Sequence, residues 1–165
     1  MRDKDFGTNN LTRNNYMNTI IEKITEGSSL VIKDKPYKVL GKALYATQSE
    51  PEITYAKVLL EEHNVLVLIP SDNIIYLGHN EGRIPEFDSF KKTVRFAGKE
   101  FKQVAHDYQL VSRVEFGSLL DVEGEVEFWD YEADDSIVSV AVVSRNKERA
   151  DIVAKYLSLS DIEVH

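Results

Sequence analysis

The chain has 165 residues, with 28 acidic against 20 basic side chains for a formal net charge of −8, and it contains no cysteine. That length suits one domain with an ample hydrophobic core, and 42% hydrophobic with 10% aromatic residues lies far from disordered composition. Without cysteine there are no disulfides, thiolate nucleophiles or zinc–thiolate sites, and the acidic balance argues against nucleic acid and anionic membrane surfaces as partners.

Residues 1–13 are polar and Asn-rich and read as a mobile tail before a single domain over 14–165. They lack the apolar segment of a secretory signal. The longest apolar run, Val65–Pro70, is too short to cross a bilayer. The expectation is a soluble, bacterial-type cytoplasmic protein with no membrane insertion. From Asn14, the residues Tyr16, Met17, Ile20, Ile21 and Ile24 recur at helical spacing, and Gly27 is placed to end that helix.

The next stretch is rich in β-branched and aromatic residues broken by turn signals. "SLVIKDKPYKVLGKALYA" reads as a strand, a turn at Asp34-Lys35-Pro36 and a longer strand. "EITYAKVLLEE" and "VLVLIPS" follow around a hairpin tip at Glu61–Asn64, then a brief strand in "NIIYLGHNEG". Pro85–Lys92 reads as one helical turn packing Phe87 and Phe90. The pattern then restarts. Leu30–Gly41 and Val94–Ala105 both read strand, tight turn, aromatic–lysine and a mainly apolar pair, with Tyr37-Lys38 matching Phe101-Lys102. This suggests two related hairpin halves, a pseudo-repeat of 30–79 and 94–143.

"GEVEFWDYEADDSIVSVAVVS" reads as two strands around a turn, the second a continuous apolar run of the kind found in central strands. A last helix is predicted over roughly Asn146 to Leu157, with Ile152, Val153, Tyr156 and Leu157 on one face and an Asp151–Lys155 ion pair on the other. "DIEVH" reads as a terminal edge strand. Together these give a β-rich α+β fold of about ten strands, a mostly antiparallel sheet or partly open barrel with an N-terminal and a C-terminal helix.

The segments Tyr37-Lys38-Val39-Leu40-Gly41, Lys99-Glu100-Phe101 and Gly124–Tyr131, the last ending in "FWDY", resemble the bacterial family called domain of unknown function 4178. The likeness spans roughly Leu30 to Val143. The chain departs from that pattern where "ITYAKVLL" offers only Tyr55 and where "VLVLIP" stands in place of a tryptophan-bearing strand. The resemblance implies a β-rich domain with no established catalytic residues.

The residues carry no nucleophile elbow and no glycine-rich phosphate loop. The histidines, His63, His79, His106 and His165, lie near predicted turns or the end of the chain and lack the helical spacing that aims two ligands one way. No catalytic, cofactor or metal residues are assigned. The candidate ligand patch is the run Trp129, Asp130, Glu132, Asp134 and Asp135. It has no glycine bend of a calcium loop, and a hydrated hairpin tip over a packed tryptophan is the simpler reading. Lys33, Lys35, Lys38, Lys42 and Lys57 read as the solvent face of a strand. The sequence leans away from an enzyme. It favours a non-catalytic binding or interaction domain for a protein or small ligand, without a cofactor. The alternatives are a small-molecule hydrolase with a site assembled from dispersed histidines and carboxylates, and a sensor for a cation or polyamine.

Overall fold

In a computed structural model that describes residues 8–117 and 124–165, the chain runs through one helix and eleven strands. β1 (Ser29–Ile32) leads into β2 (Lys35–Thr47), then β3 (Glu50–Leu60), β4 (Asn64–Ile69) and β5 (Ile74–Gly82). A connecting segment with a short turn at Pro85–Phe87 follows, its Phe87 fully buried. The series begins again with β6 (Thr93–Phe96), β7 (Lys99–Phe116), β8 (Val126–Ala133), β9 (Ser136–Val143) and β10 (Asp151–Tyr156), and β11 (Ile162–Val164) returns beside β1. The strand order is β11-β1-β2-β3-β4-β5-β10-β9-β8-β7-β6, and β2 also pairs with β7. That extra pairing closes β2 to β5 and β7 to β10 into an eight-stranded antiparallel barrel, not a partly open one. Among the described residues no helix is long and apolar enough to cross a membrane.

The two halves share their register. Ala46 pairs with Leu110 across the β2–β7 seam, and these residues are 64 positions apart, as are Tyr37 and Phe101 in the two opening hairpins. His79 pairs with Val153 across the β5–β10 seam, 74 positions apart, as are Val65 and Ser139. Equivalent strands that pair antiparallel must meet their own counterparts at a two-fold axis, and both seams do so. The pairings inside each half agree: Tyr45↔Tyr55 has its counterpart in Gln109↔Val126, Lys57↔Val67 in Phe128↔Ala141, and Val65↔Gly78 in Ser139↔Ile152. The second half therefore continues through β10, beyond residue 143.

Both opening hairpins turn on two residues with positive φ, Lys33 (48°) and Asp34 (67°) in one and Ala97 (51°) and Gly98 (77°) in the other. Such turns match the right-handed twist of the strands they join. The first turn thus lies upstream of the expected position, and Pro36 falls inside β2.

The expected C-terminal helix is absent: residues 151–156 form β10, held between β5 and β9. Burial on both faces explains the misreading, because a short strand covered on both sides carries apolar residues with no strict alternation. Asp151 is fully buried and bonded to Arg149 (2.6 Å), so it makes no helical pair with Lys155. The N-terminal helix α1 (Thr8–Lys23) begins at Thr8 rather than Asn14, and residues 1–7 of the expected tail lie outside the described residues. Gly27 follows it with φ of 90°.

Three apolar regions hold the molecule together. α1 and the following turn press Met17 and Ile24, both fully buried, onto Leu30, Val58, Leu66 and Leu68 on the outside of the first half. On the second half, the Ile84–Phe90 segment and β6 cover Phe101, Tyr131, Val138 and Val140. The third region is the inside of the barrel, where Val65, Val67, Tyr76, Ile137, Ile152 and Ala154 meet. Lys42 fastens the end of α1, its Nζ donating to the Ile21 carbonyl at 2.7 Å.

Candidate ligand site in the barrel lumen

Alternation decides what enters the barrel. On β8, Val126, Phe128 and Asp130 share a face with Gln109, Asp107 and Ala105 of β7, while Trp129 pairs with His106 on the other face. The five residues of the acidic patch are therefore divided. Trp129 faces outward, sandwiched between Phe90 (ring centroids 4.2 Å apart) and the His106 ring (4.6 Å, stacked). Asp134 sits in the β8–β9 turn at positive φ (54°), and Asp135 lies 3.8 Å from Lys99. Only Asp130 enters the lumen; Glu132 stands above it at the mouth and accepts from the Tyr156 hydroxyl. Of the expected tip, Asp134 and Asp135 lie in the turn, while Glu132 belongs to β8 together with Asp130.

Asp130 lines a cavity of about 310 Å³ inside the barrel. The cavity wall carries Tyr55, Lys57, Gln109 and Ser139 among apolar neighbours such as Phe128, Ala141 and Ile152. Gln109 is held firmly: it accepts from the Tyr55 hydroxyl at 2.9 Å and donates to the Gly124 carbonyl at 2.8 Å. Lys57 is almost fully buried, with its ammonium 5.4 Å from the Tyr45 ring centre. This corrects its reading as a solvent-facing lysine. Lys42 is buried as well, whereas Lys33, Lys35 and Lys38 stay at or near the surface.

The Asp130 carboxyl is pushed up to about 6, mainly because burial penalises the ionised form. A hydrogen bond from Ser139 and the charge of Lys57 work in the opposite direction, and the Glu132 carboxylate adds to the rise. Oδ1 of Asp130 is sealed from solvent and has no hydrogen-bond partner. A buried acceptor without a donor is an unusual state for a native protein and calls for a specific reason.

Above the cavity the barrel opens into a wider recess of about 1050 Å³, which Asp130 also lines. Glu50, Asp72 and Asp107 border the cavity entrance, and Glu132, Asp134 and Asp135 border the recess. Among the described residues, no group of three or more His, Asp or Glu side chains converges closely enough to hold a metal ion. Three histidines bond to carboxylates at exposed positions: His79 to Glu81 (2.6 Å), His106, which also borders the cavity, to Glu127 (2.7 Å), and His165 to Glu163 (3.3 Å).

Sequence reasoning missed Tyr55, Lys57, Gln109 and Ser139 as site residues. A signal was present: Lys57 and Ser139 are polar residues set within otherwise apolar strand runs, "ITYAKVLL" and "IVSVAVV". No family model, no curated protein and no solved structure matches the chain.

Proposed function

We propose that the protein is a non-catalytic binding domain that encloses a small organic molecule within the barrel. The observation that carries this reading is the 310 Å³ cavity, with polar groups of Tyr55, Lys57, Gln109, Asp130 and Ser139 converging on it between apolar walls. Small-molecule sites combine a largely apolar concavity of roughly 300–1,000 Å³ with a few placed polar groups. An eight-stranded barrel is either filled by its own side chains or has room for one small ligand. The small residues Ala105, Ser139 and Ala141 on its inner wall favour the second outcome.

The test is a thermal-shift screen of small polar and aromatic compounds on the wild type and on Ala141→Phe, which fills the cavity. A genuine ligand at about a hundred times its Kd stabilises the wild type by about 2.7 kcal/mol, and the variant should lose that response while melting cooperatively. Compounds that stabilise both proteins equally would place binding outside the lumen and overturn the reading.

A further inference from the structure

We propose that the lumen selects a small organic amine, its ammonium seated against Asp130 and its uncharged body lying along Phe128 and Ala141. This rests on the lumen-binding reading and names the chemistry that reading leaves open.

The first support is the comparison the barrel makes with itself. Asp130 and Ser139 face each other across β8 and β9, and the two-fold relation puts Leu59 and Val65 at the matching places on β3 and β4. Leu59 and Val65 are both buried and apolar. The same architecture thus closes over a hydrocarbon pair in one half and a carboxyl–hydroxyl pair in the other. Packing does not require a charge there, and a buried carboxyl is the less favourable choice for stability alone.

The second support is valence. An ionised carboxylate has about four acceptor positions, yet Asp130 keeps the Ser139 hydrogen bond while Oδ1 has no partner at all. Oδ1 is closed to solvent, so the contact falls to the part of Asp130 that faces the cavity, where an ammonium brings three donors and a compensating charge that a hydroxyl lacks. A bare metal ion suits it poorly, since the nearby carboxylates do not converge as ligands.

The third support is the field around the entrance. Glu50, Asp72, Asp107 and Glu132 surround the approach to Asp130, and walls of low polarisability concentrate such a field and draw in cations. Lys57, on β3, is the lysine on the cavity wall, and its charge offsets part of that of Asp130, so the entrance carboxylates add to the attraction for an ammonium. Since Asp130 lines both cavity and recess, the charged end of the ligand rests at their junction, with its apolar part in the deeper space.

The experiment is calorimetric titration of the full chain near neutral pH with n-butylamine, 2-phenylethylamine and tryptamine, each beside its alcohol and carboxylate counterpart. At least one amine should bind about tenfold or more tightly than its alcohol, the equivalent of one charge-assisted hydrogen bond, and the carboxylates should bind worst. Asp130→Asn should erase most of that preference. The double change Asp130→Leu with Ser139→Val, which copies the first half, should erase all of it while the protein still melts cooperatively. Alcohols binding as well as amines, amine affinity unchanged in Asp130→Asn, or no amine binding would overturn the proposal. Alcohol binding that Ala141→Phe removes would leave the lumen reading standing without the amine. Amine binding that survives Ala141→Phe would remove both.

Discussion

Replacing Asp130 by asparagine keeps the shape of the side chain and removes its ionisation, which isolates the cost of holding that charge inside the barrel. In the folded protein the carboxyl gives up its proton near pH 6, against an ordinary value of 3.8. Between those values the folded state holds a proton that the unfolded state has released. The group's contribution to stability is therefore full below about pH 4 and is lost as pH rises through 6. A rise from 3.8 to about 6 corresponds to about 3 kcal/mol. The amide has no such titration, so the variant should gain about 3 kcal/mol on the wild type between about pH 4 and about pH 8, on top of any constant offset from the substitution itself. Urea unfolding followed by emission of Trp129, whose stack with Phe90 and His106 breaks on unfolding, measures both proteins across that range. Parallel stability–pH curves would show that Asp130 titrates normally, and the account of its burial would be wrong.

Ile24→Asp would place a carboxylate in the fully buried contact between the end of α1 and the sheet, and should cost about 3–5 kcal/mol in chemical denaturation. Asp151→Ala should cost a similar amount, about 3–5 kcal/mol by the same measurement. It strips Arg149 of a buried partner and leaves the amides of Ile84 and Ala141 without their acceptor. Changing Glu132, Asp134 and Asp135 together to their amides should move the melting midpoint little, within about 0.5 kcal/mol, while slowing amine association at low salt in stopped-flow measurements.

Strands and hairpins could be read from the sequence because their signals are local: a β-branched run, a Gly or Pro stop, an aromatic at the start of a repeat. The register of the two opening hairpins was visible in Tyr37-Lys38 and Phe101-Lys102. Closure of the barrel was not, since the pairs that make it, Ala46 with Leu110 and His79 with Val153, carry no mark of one another in composition or spacing. The helix expected near the C-terminus shows the limit of periodicity: Ile152, Val153 and Tyr156 fit one helical face, yet they lie in a strand with neighbours on both sides. The candidate patch was partly legible. Asp130 was singled out for its neighbours in sequence, whereas its place in the lumen comes from facing away from them, onto the cavity that Tyr55, Lys57 and Ser139 line from other strands.

The two seams also bear on how the chain reaches this structure. Within each half, every barrel strand pairs with the strand next to it in sequence, so each meander forms through short loops. The seams join residues far apart in the chain, 64 positions at Ala46–Leu110 and 74 at His79–Val153, and need both curved sheets already in place. Long-range pairing of this kind places folding on the millisecond-to-second scale and makes seam closure the late event. The ladder between β2 and β7 is interrupted twice, near Lys42/Ala43 and near Leu44/Tyr45, whereas the β5–β10 ladder is interrupted once, near Asp151/Ile152. Each interruption leaves the ladder locally unpaired. The β2–β7 seam is thus the natural line along which the native barrel breathes, and its amides should exchange with solvent ahead of those in β4 and β9.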